Sequence, residues 1–432
     1  MRSVGFRALL LLLLPLPCTA LPAQGVTLRD LPELARARAE RQRPAQLARL
    51  EPFLADLDTE YLRNATVLDG TLERVAALGS DVVPILIEFL TPDSGENRAR
   101  WRADNASRIL LKLEPALYID TWIDLLDGPH AIGRRAALRL LGAAGPDPRT
   151  TAAIARNFGN LREPYDRRRA IAVAADLGIH TMAEQAVPML EESDAESRRT
   201  ALEYLTQCAY RDAVPTAVSR LQNETEKALL PAYIGYFLAT VEQDADVATA
   251  LVGILGGSRL GVDDQRTLVE GLARIAPKNH EPTEAALLAI LERGETGPLG
   301  IAAAVSLQTL DEKRGIRVLF ETLEARIRDR RGDAGAIADR ADAYFAFGRH
   351  KEAIRDYEDA IRLSFSGTRR SAYHLQVARC EAHRDSMPRM LRSLKSAELS
   401  AATIRAEAAK DPVFREMLEK EAAQRFLESL DR

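Results

Sequence analysis

Cys380 and His383 have the clearest chemical potential in this sequence because they lie three positions apart. In a helix both side chains would share one face and could hold a metal ion together. His374 lies six positions before Cys380 and would point elsewhere, so a third ligand from this segment is missing. The chain also has no CxxC pair. We therefore predict no metal site.

Catalytic signatures are equally hard to find. The sequence contains no HExxH, GxSxG, Walker or GxGxxG motif. Adjacent carboxylates such as Asp263 and Asp264 fall at predicted helix ends, where acidic side chains cap helices or aid solubility. The glycines of LGGSRLG (255–261) lack the lysine and the spacing of a phosphate loop and indicate a turn. No catalytic or cofactor-binding residue is predicted.

Apart from Cys18, the cysteines are Cys208 and Cys380. An oxidising compartment would allow a disulfide between them. The helical apolar pattern around each one favours two buried free thiols instead.

The composition of the 432-residue chain is that of a folded protein without a nucleic-acid partner. Hydrophobic residues make up 46% and charged residues 28%, and the formal net charge is −4. A chain of this charge offers no general attraction for nucleic acid. Aromatic residues are only 5% while Ala and Leu are abundant, which favours close helix packing over a sheet core.

The N-terminal residues indicate a signal peptide over 1–23. Arg2 and Arg7 precede an apolar run at residues 8–16. This run is too short to cross a bilayer, but it suits the core of a signal peptide. The remaining sequence has no transmembrane candidate.

Cleavage is expected after Ala20 or Ala23. Cys18 raises the alternative of a lipid anchor, but Pro17 stands where a lipobox needs a small residue, so lipid anchoring is not favoured. Arg outnumbers Lys 51 to 8, which indicates a bacterial source with a GC-rich genome. We expect an exported protein, periplasmic or secreted.

Two phrases recur along the chain at intervals of about 30–36 residues. One places arginines before an apolar stripe: GRRAALRL (133–140), DRRRAIAV (166–173) and SRRTALEY (197–204). The other contains Val-Pro: VVPILIEF (82–89), AVPMLEES (186–193) and AVPTAVSR (213–220). Their apolar spacing is helical, and two short helices per period are typical of a helical solenoid.

These copies resemble HEAT repeats, in particular the short bacterial type first seen in phycobilisome lyases. The resemblance covers residues 71–326, and residues 24–70 are expected to form a helical N-terminal cap. It implies that the recurring arginines stabilise contacts between repeats instead of forming a basic binding strip. It also implies that turn aspartates pair with them, as Asp194 and Arg199 would. The arginines aligned in this way are Arg102, Arg135, Arg169, Arg199 and Arg266.

Residues 334–432 resemble tetratricopeptide (TPR) repeats. The better copy spans 335–364, and a poorer one spans 374–399. Asp411-Pro412 then predicts the start of a capping helix. The fold class expected is therefore all-α: a HEAT-like α-solenoid with a C-terminal TPR-like helical stack. The better copy matches the small, aromatic and turn-glycine positions of the motif at Ala341, Tyr344, Gly348, Ala353, Tyr357 and Ala360.

The TPR resemblance implies a partner groove lined by the first helix of each repeat. Its positions correspond to Asp342 and Phe345 in the better copy and to Arg379 and His383 in the poorer one. Ala338 and Asp342 stand where the carboxylate-binding variant of the family has Lys and Asn, so that mode is not expected. A helix or an extended peptide is the expected ligand, and a stack that only dimerises is the alternative.

Together these features predict an exported, non-enzymatic scaffold or adaptor that binds protein or peptide partners through its helical-repeat surfaces. No cofactor is expected, and a homo-oligomer is compatible with the sequence. Two alternatives stay open. One is a lyase-like or other enzyme on the HEAT scaffold, which would need Cys208 or Cys380. The other is an envelope assembly factor anchored through a lipid on Cys18.

Overall fold

The computed structural model describes residues 32–92, 96–256 and 260–431. Over these residues the chain consists of α-helices, short 3₁₀ helices and loops, with no strand, and its fold is an all-α solenoid. The predicted signal peptide over 1–23, with Cys18 and both cleavage positions, lies outside the described residues. Contacts along the chain divide it into two compact units, one ending at Asn157 and the other beginning at Phe158.

In the first unit, α3 packs on α5 and α5 packs on α7, while α4 and α6 pack beside their chain neighbours. The predicted N-terminal cap corresponds to α1, α2 and most of α3. The helices of this unit are α1 (Pro32–Leu50), α2 (Leu54–Leu57), α3 (Tyr61–Ala76), α4 (Val83–Phe89), α5 (Asn97–Leu110), α6 (Ile119–Asp127), α7 (Ala131–Ala144) and α8 (Pro148–Phe158), the last of which ends at the boundary.

The helices of the second unit are α9 (Pro164–Asp176), α10 (Ala183–Ala186), α11 (Ala195–Gln207), α12 (Val214–Gln222), α13 (Leu230–Thr240), α14 (Ala245–Leu255), α15 (Val262–Ile275), α16 (Glu281–Glu292), α17 (Pro298–Thr309), α18 (Arg314–Asp329), α19 (Ala334–Ala346), α20 (His350–Leu363), α21 (Gly367–His383), α22 (Met387–Ala397), α23 (Ala401–Ala408), α24 (Pro412–Glu419) and α25 (Glu421–Leu430).

From α9 to α19, every odd-numbered helix packs on the next odd-numbered one. From α12 to α18, the even-numbered helices form a second row in the same way. Two such rows are what a repeating pair of amphipathic helices produces when each pair buries its free face on the next. The type of repeat, HEAT or TPR, stays a prediction from the sequence.

The Val-Pro phrases begin helices because proline lacks an N–H that the first turn would leave unpaired anyway. Val83 starts α4 and Val214 starts α12, each followed by its proline. The third copy, at Val187, begins a short 3₁₀ helix, Val187–Glu191, instead of an α-helix.

The arginine phrase contains a repeated clamp. In each copy one guanidinium NH1 donates to the backbone carbonyls six and five residues earlier, which ties the helix to the loop before it. The clamping residues are Arg134, Arg167 and Arg198, with N–O distances of 2.7–3.0 Å. The clamp is therefore made by the arginine one position before Arg135 and Arg199 and by the arginine two positions before Arg169.

The predicted pair between Asp194 and Arg199 is replaced by another contact. Asp194 caps α11 by accepting from the Ser197 backbone N–H at 3.0 Å, and it pairs with Arg168 of α9. Arg199 Nε lies 3.6 Å from Glu196 Oε1 on the same helix. Asp194 still connects consecutive helices of the row, but through an arginine on the preceding one.

The C-terminal stack is built from α19 onwards. Gly348, with φ of +70°, makes the turn between α19 and α20, a backbone conformation that glycine adopts without strain. Tyr357 of α20 packs with Ala341 of α19 and Val377 of α21 in one buried cluster. Three of the positions that carried the TPR resemblance, Ala341, Ala353 and Tyr357, therefore lie in one core cluster of this stack.

The predicted capping helix is two helices in the structure. Asp411 caps α24 as expected, because its side chain accepts from the Phe414 N–H and Pro412 follows it. At Lys420 the backbone becomes extended, with ψ of 142°, and α25 begins at the next residue. The predicted boundary between the two modules, near residues 327–333, lies within the second unit and stays a prediction.

Candidate functional site

A cleft of about 510 Å³ opens in the second unit where α15, α17, α19 and α21 each present one face. Arg266, Glu270 and Ala273 line it from α15 at intervals of four and three residues, the spacing of a single helical face. We refer to it as the α15–α21 cleft. Four helices therefore form one recess, and no single repeat could form it alone.

The lining of the α15–α21 cleft divides by helix. α17 contributes mainly apolar atoms, including Ile301, Ala302 and Val305, while all charged side chains come from the other three helices. A second cavity of about 370 Å³ shares Glu270, Ala273 and Thr309 with the first. The recess therefore continues as a groove along α15 and α17.

Hydrogen bonds and close packing hold these helices in place. The Ser306 hydroxyl of α17 donates to the Val269 carbonyl of α15 at 2.9 Å in the interior. Because a buried polar group must find a partner, this bond fixes the side of α17 that faces the cleft. The sequence gives a polar residue here without showing which carbonyl it would reach.

Three of the four predicted groove residues, Asp342, Phe345 and Arg379, line the α15–α21 cleft. The fourth, His383, is not part of the lining. Its ring meets the edge of the Phe345 ring with 5.1 Å between centroids, so it supports the wall from behind. The structure thus brings the four residues together, with one of them in a supporting position.

Arg379 is held by Asp411, the capping residue of α24. Its Nε and one terminal nitrogen each lie 3.1 Å from Asp411 Oδ2, and its Cζ lies 4.9 Å from the centre of the Phe345 ring. His383 Nε2 lies 3.1 Å from both oxygens of the same carboxylate. Burial opposes ionisation of Asp411, but the Phe414 N–H, His383 and Arg379 outweigh it and lower its pKa. The positive charge of Arg379 is therefore paired with the Asp411 carboxylate within the protein.

Asp342 has different surroundings. Its side chain is exposed at the cleft, and the hydroxyl of the buried Tyr357 donates to its Oδ1. Protein surrounds the carboxylate closely enough for desolvation to raise its pKa, with a further rise from nearby Asp339 and against the lowering effects of the Tyr357 hydrogen bond and the Arg379 charge. Among the described residues, none forms an ion pair with Asp342. It is a fixed carboxylate that a ligand can reach.

The wall formed by α15 and α17 was not part of the sequence prediction. Arg266 was aligned with the structural arginines, yet the structure places it in the α15–α21 cleft, 3.7 Å from Glu270 on the same helix. The four-residue spacing of Arg266 and Glu270 was the available signal. It could not show that this face lies opposite α19 and α21, because that depends on how successive pairs stack.

Both cysteines that the structure describes are free. Cys380 lies in the same buried core cluster as Tyr357, and burial raises its pKa to about 12. Cys208 Sγ lies 3.3 Å from His180 Nδ1, and burial raises the pKa of this thiol as well. Thiol chemistry needs the thiolate, which neither environment favours. Within the described part of the chain, no three metal-ligating side chains form a group.

The comparisons with known proteins add no further assignment. Among the helices that the structure describes, none is long and apolar enough to cross a membrane. No protein-family model matches the chain, and no curated protein matches it.

Proposed function

We propose that the protein is an exported, non-enzymatic scaffold or adaptor that binds a protein partner in the α15–α21 cleft. The observation that carries this proposal is the convergence of Asp342, Phe345 and Arg379 with one face of α15 and α17 around a single recess. An apolar wall with a few fixed polar groups is the usual composition of a binding site. Here α17 is the apolar wall, and Asp342 and Arg379 are fixed polar groups.

The continuity of the recess favours a polypeptide ligand. The neighbouring cavity extends it along α15 and α17 beyond Ala273 and Thr309. An amphipathic helix or an extended segment could occupy such a groove with several side chains, which is a common mode of peptide recognition. The raised pKa of both described thiols weighs against the alternative of a thiolate enzyme.

Export is the part of this proposal that rests on the N-terminal sequence alone. Mass spectrometry of the protein purified from its native cells tests it. We expect a mature N-terminus at Leu21 or Gln24. A diacylated Cys18 would support the anchored assembly factor instead, and an intact Met1 would contradict export.

The partner site is tested by filling the recess. Ala346 is exposed and lines the cleft from α19, so Ala346→Trp would place an indole in it. Ala422→Trp adds the same bulk at an exposed position of α25, outside the cleft. Both variants and the wild type are used for affinity capture from the native envelope fraction, followed by mass spectrometry. We expect a partner that is lost with Ala346→Trp and retained with Ala422→Trp. Equal capture by all three chains would exclude the cleft as the partner site.

A further inference from the structure

Not every charged side chain in the α15–α21 cleft forms an ion pair. Arg379 contacts Asp411 at 3.1 Å, and Arg266 lies 3.7 Å from Glu270. Each cleft arginine therefore has a carboxylate beside it. Asp342 forms no ion pair with any described residue, and Arg379, whose charge acts on it, is already paired with Asp411, so the excess charge in the cleft is negative.

The carboxylate of Asp342 is also oriented. Tyr357, which is 1% exposed, fixes it from the protein side through the hydroxyl that donates to Oδ1. The carboxylate retains further acceptor capacity because an ionised carboxylate can accept about four hydrogen bonds. Because Tyr357 orients this carboxylate and the side chain is exposed, it can accept a hydrogen bond from a ligand.

The apolar lining explains which donors would fit. Lys and Arg carry long aliphatic stems that pack on apolar surfaces while the charged end reaches a polar partner. Ile301 and Val305 of α17 line the same cleft as Asp342 and supply such a surface. An acidic side chain would instead be repelled by the Asp342 carboxylate, because placing like charges together at an interface is unfavourable.

We infer that the partner inserts a basic side chain, Lys or Arg, into the α15–α21 cleft, where its cation pairs with Asp342 and its stem packs on α17. This inference rests on the proposed function and specifies the chemistry of the partner. Desolvation by the surrounding protein also disfavours the charged form of Asp342, as its raised pKa indicates. A cation from the partner would remove that penalty on binding.

Phage-displayed random linear peptides are the probe, selected on the full chain. Peptides that bind the wild type and Ala422→Trp but not Ala346→Trp are taken as cleft ligands. We expect these peptides to be enriched in a Lys or Arg next to aliphatic residues. One of them is then synthesised with its basic residue and, separately, with norleucine in its place.

Isothermal titration of these two peptides tests the pairing. We expect Asp342→Asn to lower the affinity for the basic peptide by about tenfold or more, because charge-assisted hydrogen bonds are stronger than neutral ones. The norleucine peptide should bind the wild type and Asp342→Asn equally. Asp359→Asn is the matched control, since Asp359 lies on α20 and pairs with Arg362 of its own helix. The peptide substitution leaves the protein unchanged, so a folding defect in Asp342→Asn cannot imitate the result.

The two proposals can fail separately. If cleft ligands are found but carry no basic residue, or bind Asp342→Asn as well as the wild type, the inference is overturned and the partner site stands. If Ala346→Trp abolishes the binding of none of the selected peptides, the proposed partner site is wrong, and the inference that rests on it is wrong as well.

Discussion

Arg198 and Glu224 form a two-point ion pair in the interior of the second unit. Nε and one terminal nitrogen of Arg198 each donate to a Glu224 oxygen at 2.9 Å, and the two side chains are 4% and 0% exposed. The remaining terminal nitrogen holds the carbonyls of Glu192 and Ser193. One guanidinium thus connects the loop before α11, α11 itself and the segment that follows α12.

Removing this guanidinium should destabilise the protein strongly. Arg198→Met leaves the Glu224 carboxylate buried without its main cation, and breaking a buried pair in this way costs about 3–5 kcal/mol. Urea unfolding followed by circular dichroism measures the loss. Arg199→Met is the control, because Arg199 makes only a half-exposed contact with Glu196 on the same helix, for which we expect about 1 kcal/mol or less. Equal losses in both variants would refute the assignment of the clamp to Arg198.

The same pair shows how far the sequence predicts the fold. The helical period and the two-helix repeat could be predicted, and the structure confirms an all-α solenoid. The sequence could not show which arginine of each copy is buried. Each copy has adjacent arginines, and rotating the helix by one residue would bury the next arginine instead. The missing information is which carbonyls and carboxylates lie within reach, and that is fixed only when consecutive pairs stack.

Two helical glycines should respond oppositely to substitution by alanine. A Cβ on Gly300 of α17 would lie 2.0 Å from the Glu295 carbonyl oxygen, a backbone atom that cannot move aside. A Cβ on Gly253 of α14 would meet nothing within 4 Å. We expect Gly300→Ala to cost about 1–3 kcal/mol through overpacking and Gly253→Ala to gain about 0.5–1 kcal/mol through helix propensity. Thermal unfolding of the two variants distinguishes them, and stabilisation by Gly300→Ala would contradict the close approach of α17 to its preceding loop.

The candidate site was predictable only on one side. The TPR resemblance implied Asp342, Phe345 and Arg379 because they occupy the positions that line the groove in that family. The wall formed by α15 and α17 belongs to the preceding repeats, and its position depends on the packing of α17 on α19. The role of Asp411, about thirty residues after Arg379, also required the structure. Contacts between distant segments leave no periodic signal in a single sequence.

The two described thiols should differ in reactivity. Cys380 is 0% exposed and its pKa is raised to about 12, whereas Cys208 is partly exposed beside His180. We expect iodoacetamide at neutral pH to alkylate Cys208 slowly and to leave Cys380 unmodified until the protein unfolds, since only the thiolate reacts. Peptide mapping by mass spectrometry, with and without guanidinium chloride, measures both sites. Rapid alkylation of either native thiol would revive the thiolate-enzyme alternative.

Asp342 and Asp411 should affect stability in opposite directions as the pH changes. The folded-state pKa of Asp342 is raised above the usual value, so its ionisation opposes folding. That penalty is absent well below pH 4, where the carboxyl is protonated in both states, and it develops as the pH rises through the folded-state pKa. Asp342→Asn should therefore melt at a higher temperature than the wild type at pH 7, and the gain should disappear as the pH falls towards 4.

The ionised Asp411 carboxylate should have the opposite effect on stability from that of Asp342. Its folded-state pKa is lowered, so its charge stabilises the folded protein above the usual aspartate pKa and loses that effect as the pH falls through the lowered value. Asp411→Asn should melt lower than the wild type at pH 7, with a deficit that shrinks below about pH 4. Calorimetric melting temperatures between acid and neutral pH test both variants together. A stabilising Asp342→Asn beside a destabilising Asp411→Asn would mean that Asp342 is kept in the cleft at the expense of stability, as expected of a residue that binds a ligand. Destabilisation by both would instead make Asp342 a structural partner of Tyr357.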